Sequence, residues 1–272
     1  MRKTTPHQIL TSILKQVYLL IVLLFGYFHS IAQPNTDSSI TRARVDKYYI
    51  NSYFKDYRDI FESPFKPSIK KYSLATVYAG SMYLLISHYD AKIQVFAQNH
   101  RTAFTNNLSK YIFEPSGSGL YPAIAIGLIY AEGVFLKDQK SKKVAMNCTK
   151  SFLIANSFTA LAKYTASRQR PLVSPADPHK WLIGKGNVSF FSGHTTTAFS
   201  VATILAEEYK ETVWVPILAY TLAAGTGLSR INDNEHWASD VLTGALCGYL
   251  IGKLIEKQNN WGIKVVPRLI IQ

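Results

Sequence analysis

Hydrophobic positions fall in six long runs. They lack the alternation of a half-buried strand and exceed the length of a typical one, so each predicts a helix. The runs cover residues 72–89, 120–136, 144–163, 195–209, 213–228 and 238–255. Small residues recur inside the later runs, at Ala223, Ala224, Gly225 and Gly227 and again at Gly244, Ala245, Gly248 and Gly252, which permits neighbouring backbones to approach closely. The expected fold is all-α, a compact bundle of about six core helices. Residues 90–119, rich in Asn, Ser and Gly, read as a polar connection after the first run.

Ahead of the runs, residues 33–71 read as a polar lead-in, with Pro64 and Pro67 arguing for a loop. Its aromatic residues, Tyr48, Tyr49, Tyr53, Phe54, Tyr57 and Phe61, suit packing either on the protein's own core or in the interfacial region of a bilayer. At the N-terminus, Arg2, Lys3 and Lys15 precede an uncharged run over 17–28, and Ser30-Ile31-Ala32 offers small residues at the positions a signal peptidase reads. The expected organisation is a signal peptide over 1–32, a lead-in with one apolar helix over 33–119, a helical core over 120–256 and a tail over 257–272.

Three of the runs carry nearly the ~20 uncharged residues that a bilayer requires. Lys137, Lys140, Lys142 and Lys143 crowd between the second and third runs, where a positive-inside rule would place them. If the second run is the first to cross, the bundle is membrane-embedded with five crossings, the 72–89 helix is peripheral, and Lys163, His194 and His236 fall together on the exported side. The alternative is a fully soluble exported bundle, which the mean hydropathy of +0.02 suits better.

Composition narrows the partners. The chain has 272 residues, 47% of them hydrophobic, enough to bury a core. A net charge of +13 suits an anionic partner. There is no Lys/Arg run interleaved with aromatics, so nucleic acid is not expected. Cys148 and Cys247 sit in separate apolar runs and are expected to be free thiols.

Candidate chemistry concentrates between Lys163 and Asp240. His236 and Asp240 stand i, i+4 at the start of a predicted helix, so they share a face. A carboxylate on one ring nitrogen would fix the tautomer and leave the other as nucleophile or base. A surface pair or a helix cap is the plainer reading. Ser192-Gly193-His194 precedes a helix whose first turn is Thr195-Thr196-Thr197, where free backbone N–H groups and the helix dipole suit an anion; a simple Ser-capped start is the alternative. Lys163, Arg170 and Arg230 fall where helices end, and the arginine fork matches phosphate oxygens.

Taken together, the spacings resemble a known signature. Lys163, six residues and Arg170-Pro171, then Ser192-Gly193-His194, then Ser229-Arg230, five residues, His236, three residues and Asp240 closely resemble the three-part motif of the type 2 phosphatidic acid phosphatase superfamily. The resemblance spans about 144–255. It implies a phosphatase acting on a phosphorylated lipid or small phosphoester, with His236 attacking phosphorus, Asp240 orienting it and His194 serving as acid and then base. It also implies that Lys163, Arg170, Arg230, Ser192 and Gly193 bind the phosphoryl oxygens, and that neither metal nor cofactor is required. Phe191 stands where the family usually has Pro, which could loosen the loop or line the substrate entrance. His88, His100 and His179 have no matching partners and are expected to be structural or surface residues; loop packing is expected of Trp181, Asp177 and Lys180. Asp233, Asn234 and Glu235 could adjust the charge near His236. Two other functions stay open: a soluble non-specific acid phosphatase, and a non-catalytic envelope protein that binds anionic lipid.

Overall fold

Polar caps set where the apolar runs begin and end as helices. The computed structural model describes residues 43–258 apart from 67, 183, 185 and 187. The signal peptide expected over 1–32 and nearly all of the expected tail lie outside the described residues. The helices are α1 (Lys47–Glu62), α2 (Ile69–Leu84), α3 (Asp90–Asn99), α4 (Ala103–Leu108), α5 (Glu114–Gly117), α6 (Leu120–Phe135), α7 (Gln139–Ala166), α8 (Gly193–Glu208), α9 (Trp214–Asn232) and α10 (Ala238–Gln258). Wide π turns, Leu85–Tyr89 and Ser109–Phe113, join α2 to α3 and α4 to α5. Among the described residues, extended pairing is limited to one isolated bridge between Gln169 and Val188. The protein is all-α, as expected.

α7 starts at Gln139 rather than near Val144 because the Asp138 carboxylate accepts the N–H groups of Lys140 and Ser141 at 3.0 and 2.9 Å. Lys143 is consequently not a free loop charge. It is buried and paired with Glu208 at 2.7 Å.

Two stretches read as loops are helical. α1 forms because Tyr49, Tyr53 and Tyr57 recur every fourth residue and turn one face onto α7. Tyr49 donates to the Met146 carbonyl at 3.0 Å, the hydroxyls of Tyr57 and Ser157 meet at 2.8 Å, and the Phe61 ring lies 5.0 Å from that of Phe158. A buried ion pair, Asp56 to Lys150 at 2.8 Å, locks the two helices together. Tyr49, Tyr53 and Tyr57 therefore pack with the protein's own core, whereas Tyr48 and Phe54 point to the outside and Phe61 is half exposed. The polar stretch 90–119 folds into α3, α4 and α5 because its polar side chains are consumed by the end of α9. Gln98 donates to the Ile231 carbonyl at 3.1 Å, and Asn232 donates to Asn106 at 3.0 Å.

α8 runs through the middle of the bundle, against α7, α9 and α10. The glycine ladder of α10 permits the closest of these approaches. A Cβ at Gly248 would stand 2.4 Å from the Thr196 carbonyl oxygen, and one at Gly244 would stand 2.7 Å from that of Ser192. Val144, Cys148, Ile154, Ile204, Val215, Ile251 and Ile255 fill the apolar core, and Cys148 and Cys247 are both free. Many large apolar side chains nevertheless point outward, among them Ile124, Leu128, Ile217, Leu228, Leu242 and Leu250. Among the described residues, α10 alone is long and apolar enough to cross a membrane, and the bent pair Ala103–Gly117 plus Leu120–Phe135, with a 57° angle, would pass as one further span.

Candidate active site

The ends of α7 and α9 and the starts of α8 and α10 meet at one end of the bundle. Arg230 lies in the last turn of α9. The chain then reverses through Asn234, whose φ of 61° Asn tolerates better than most residues. The N–H groups of Glu235 and His236 both donate to the Arg230 carbonyl, at 3.0 and 3.3 Å. This turn returns His236 to the side of Arg230.

The structure corrects how His236 and Asp240 are related. α10 starts at Ala238, so His236 precedes the helix and shares no helical face with Asp240. Asp240 is instead a first-turn residue that reaches back to accept the Trp237 N–H at 3.0 Å. Its Oδ2 is 3.8 Å from His236 Nδ1. Ser189 fills the gap: its hydroxyl donates to Asp240 Oδ2 at 2.5 Å and lies 3.2 Å from His236 Nδ1. All three side chains are buried.

Asp240 is held from behind by Arg168, which is wholly buried. This guanidinium donates to Asp240 Oδ1 at 2.6 Å, to Asp90 Oδ2 at 2.7 Å and to Ser239 Oγ at 2.7 Å. It lies 4.8 Å from the ring of Trp181 and 5.5 Å from that of Trp237, so Trp181 packs on this cation, in keeping with its expected packing role. Asp90 also accepts the Ser239 N–H at 3.0 Å, which fastens the start of α3 to the start of α10.

On the facing side stand the remaining candidates. Ser192 caps α8, accepting from the Thr195 N–H and hydroxyl at 3.4 and 2.8 Å, and its own N–H donates to the Asp240 carbonyl at 3.2 Å. The hydroxyl proton of Ser192 stays available to an anion. Gly193 opens the helix, with the Thr159 methyl 3.2 Å from where a Cβ would be. Lys163 lies in the last turn of α7, and its side chain makes no hydrogen bond among the described residues. Arg170 is paired with Glu235, and Arg230 with Asp233 at 2.5 Å. Both acidic residues near His236 thus hold the arginines expected to grip phosphate. His194 Nε2 lies 3.3 Å from Glu114 Oε1. His88, His100 and His179 are exposed and stand apart from this cluster.

The histidines, which lie outside the apolar segments of their helices, are both pushed toward the neutral form. Burial drives His194 down to about 3, and the charges of Arg230, His236, Lys163 and Arg170 act in the same direction. Burial also lowers His236, opposed by Asp240 and assisted by Lys163 and Arg170. A neutral, buried imidazole amid cations can act as a nucleophile toward an anion.

Beside Arg230 opens an apolar cavity of about 660 Å³, lined by Ile93, Phe96, Leu108, Phe113, Leu228 and Ile231 among others. Phe191 is buried; its ring lies 5.7 Å from Phe190, which in turn packs on Trp181 at 5.1 Å. It therefore packs within the loop rather than lining an entrance.

Sequence reasoning brought together all eight named site residues and missed four that support them. Arg168 and Ser189 each lie within a few residues of a recognised cluster, and their polarity in an otherwise buried loop was the available signal. Asp90 and Glu114 lie in the polar stretch, where nothing marks them out.

The fold and this end of the bundle define an all-α protein in which two histidines, an aspartate and three cationic side chains are gathered together. Residues 145–263 match the PAP2 superfamily model. The chain is 44% identical over 93 residues to a lipid A 1-phosphatase of Porphyromonas gingivalis, covering 34% of this chain and 18% of that protein. It is 27% identical over 155 residues to a PA-phosphatase related-family protein of Dictyostelium discoideum, covering 50% of this chain and 57% of that one. The chain thus spans less than two thirds of either relative. Among solved structures, a transmembrane PAP2 type phosphatidylglycerolphosphate phosphatase from Bacillus subtilis has the same fold, with a TM-score of 0.53 and 22% identity over 71% of this chain and 97% of that one.

Proposed function

We propose that this chain is a phosphatase that hydrolyses a phosphomonoester or diphosphate of a lipid, without a metal, through a phosphohistidine on His236. The observation that carries this reading is the orientation of His236. Its Nδ1 faces Ser189 and Asp240, which leaves Nε2 free to attack. His194 takes up a solvent proton together with the arriving phosphate dianion; in the first step Nε2 of His236 then forms a bond to phosphorus, the bond from phosphorus to the leaving oxygen breaks, and the His194 imidazolium gives that oxygen its proton and returns to the neutral form. In the second, His194 takes a proton from water, whose oxygen attacks the phosphohistidine, releasing phosphate and restoring His236. Lys163, Arg170, Arg230, Ser192 and the Gly193 N–H bind the phosphoryl oxygens and stabilise their charge in the transition state.

The apolar cavity beside Arg230 favours a lipid over a small phosphoester. The outward apolar side chains and the span-length α10 support a place in the cell envelope membrane. A site at the opposite end of the bundle from Lys137, Lys140 and Lys142 supports a site on the exported face. The similarity to a lipid A 1-phosphatase puts a sugar-linked lipid phosphate first among substrates to try.

The test is phosphate release in detergent and EDTA from lipid A, undecaprenyl diphosphate, phosphatidic acid and a small aryl phosphate, by wild type and His236→Ala. Release from a lipid that vanishes in the variant is the expected result. Release confined to the aryl phosphate would transfer the reading to a non-specific acid phosphatase. Near wild-type release by His236→Ala would overturn the mechanism.

A further inference from the structure

Glu114 lies outside the matched segment and outside every motif in the sequence, yet its carboxylate reaches the second histidine of the site. Its backbone is fixed from both sides. On one side, the Phe113 carbonyl accepts the Thr226 hydroxyl at 2.8 Å, and the Phe113 ring fills the space over Gly225, where a Cβ would stand 2.2 Å from the ring. On the other, Gly117 is wedged against α8 and α9: a Cβ there would stand 2.6 Å from the His194 carbonyl oxygen and 2.5 Å from the Thr226 methyl. The turn from Glu114 to Gly117 is thereby seated on the start of α8, and Glu114 Oε1 comes to 3.3 Å from His194 Nε2.

The chemical need is specific. A general acid must hold a proton, and His194 sits among Lys163, Arg170, Arg230 and His236, all of which disfavour one. Among the described residues, Glu114 is the anionic side chain in contact with this ring. A carboxylate that accepts an imidazole N–H selects that tautomer and raises the proton affinity of the other nitrogen.

We propose that Glu114 is a positioning residue for His194: its carboxylate accepts the Nε2–H, leaves Nδ1 as the nitrogen that exchanges a proton with substrate, and supports the proton passed to the leaving oxygen. The proposal rests on the histidine mechanism given above. An arriving phosphoryl dianion offsets the three cations Lys163, Arg170 and Arg230, and Glu114 supplies further negative charge at the ring.

The experiment compares wild type, Glu114→Gln, Glu114→Asp, His194→Ala and His236→Ala in full-length detergent-solubilised protein, on phosphatidic acid and on an aryl phosphate with an activated leaving group. General acid catalysis matters most where the leaving oxygen is basic. Glu114→Gln should lower kcat on phosphatidic acid about 10-fold or more with KM unchanged, and lower it far less on the aryl ester, with partial rescue in Glu114→Asp. Equal loss on both substrates, or no loss on either, would refute the assignment while leaving the histidine mechanism standing. Retained activity in His236→Ala would instead remove the mechanism itself. Independently of turnover, ¹⁵N spectra of the histidines, with His194 assigned by its absence from His194→Ala, should show the Nε2–H tautomer in wild type and a change in Glu114→Gln. A wild-type His194 carrying its proton on Nδ1 would overturn the proposal.

Discussion

His236 Nδ1 and Asp240 Oδ2 are 3.8 Å apart, too far for a hydrogen bond, and the Ser189 hydroxyl completes the link between them. The three side chains form a continuous polar chain, in which Asp240 is itself anchored by Arg168. Two carboxylates, Asp90 and Asp240, share that one guanidinium, so the buried assembly presents negative charge to the His236 ring.

Ser189→Ala should therefore lower both activity and stability. A hydrogen bond to a charged group is worth about 1.5–3 kcal/mol of stability, so the melting temperature should fall, and kcat should fall roughly 10- to 100-fold as the His236 ring loses its support. Steady-state kinetics beside a melting curve would separate the two. Wild-type kcat in Ser189→Ala would mean that Asp240 orients His236 without the hydroxyl.

Acid should destabilise the protein earlier than its carboxylates alone would require. His194 and His236 are both lowered from the ordinary value of 6.5, His194 to about 3, so below pH 6.5 the unfolded chain binds protons that the folded one refuses. Stability then falls as pH drops from 6.5 toward the depressed values. The melting temperature should decline over this window, and His194→Asn should flatten the decline. The same shifts keep the His236 nucleophile unprotonated in mild acid, so kcat/KM should hold up below pH 6.5 and fail only at lower pH.

Gly248→Ala tests the α8–α10 contact on which the site depends. The added Cβ would meet the Thr196 carbonyl at 2.4 Å, a backbone atom that cannot swing aside. Overpacking of this kind costs about 1–3 kcal/mol, and the displaced start of α8 should carry Ser192 and His194 out of register with Asp240. Loss of both stability and kcat is expected. An unchanged melting temperature would show that the two helices separate freely.

The six apolar runs and the helices they predict were legible because each run lacks strand-like alternation and is too long for a typical strand. The eight proposed site residues stood out for a different reason: they are carried on short contiguous motifs whose spacings resemble those of a known family. α1 was hidden because its core-facing tyrosines are diluted by charged neighbours, and α3 to α5 because their polar side chains serve partners more than a hundred positions away, as Gln98 serves Ile231.

What the sequence determined by itself was the inventory: an all-α chain, basic, with two histidines, an aspartate and three cations in order. What only the tertiary structure decided was which of these groups touch. The bond from Ser189 to Asp240, the grip of Arg168 on Asp90 and Asp240 and the approach of Glu114 to His194 each join residues 51 to 80 positions apart. Such contacts follow from where helix ends meet, and that is set by how the glycine face of α10 packs on α8 rather than by any local pattern.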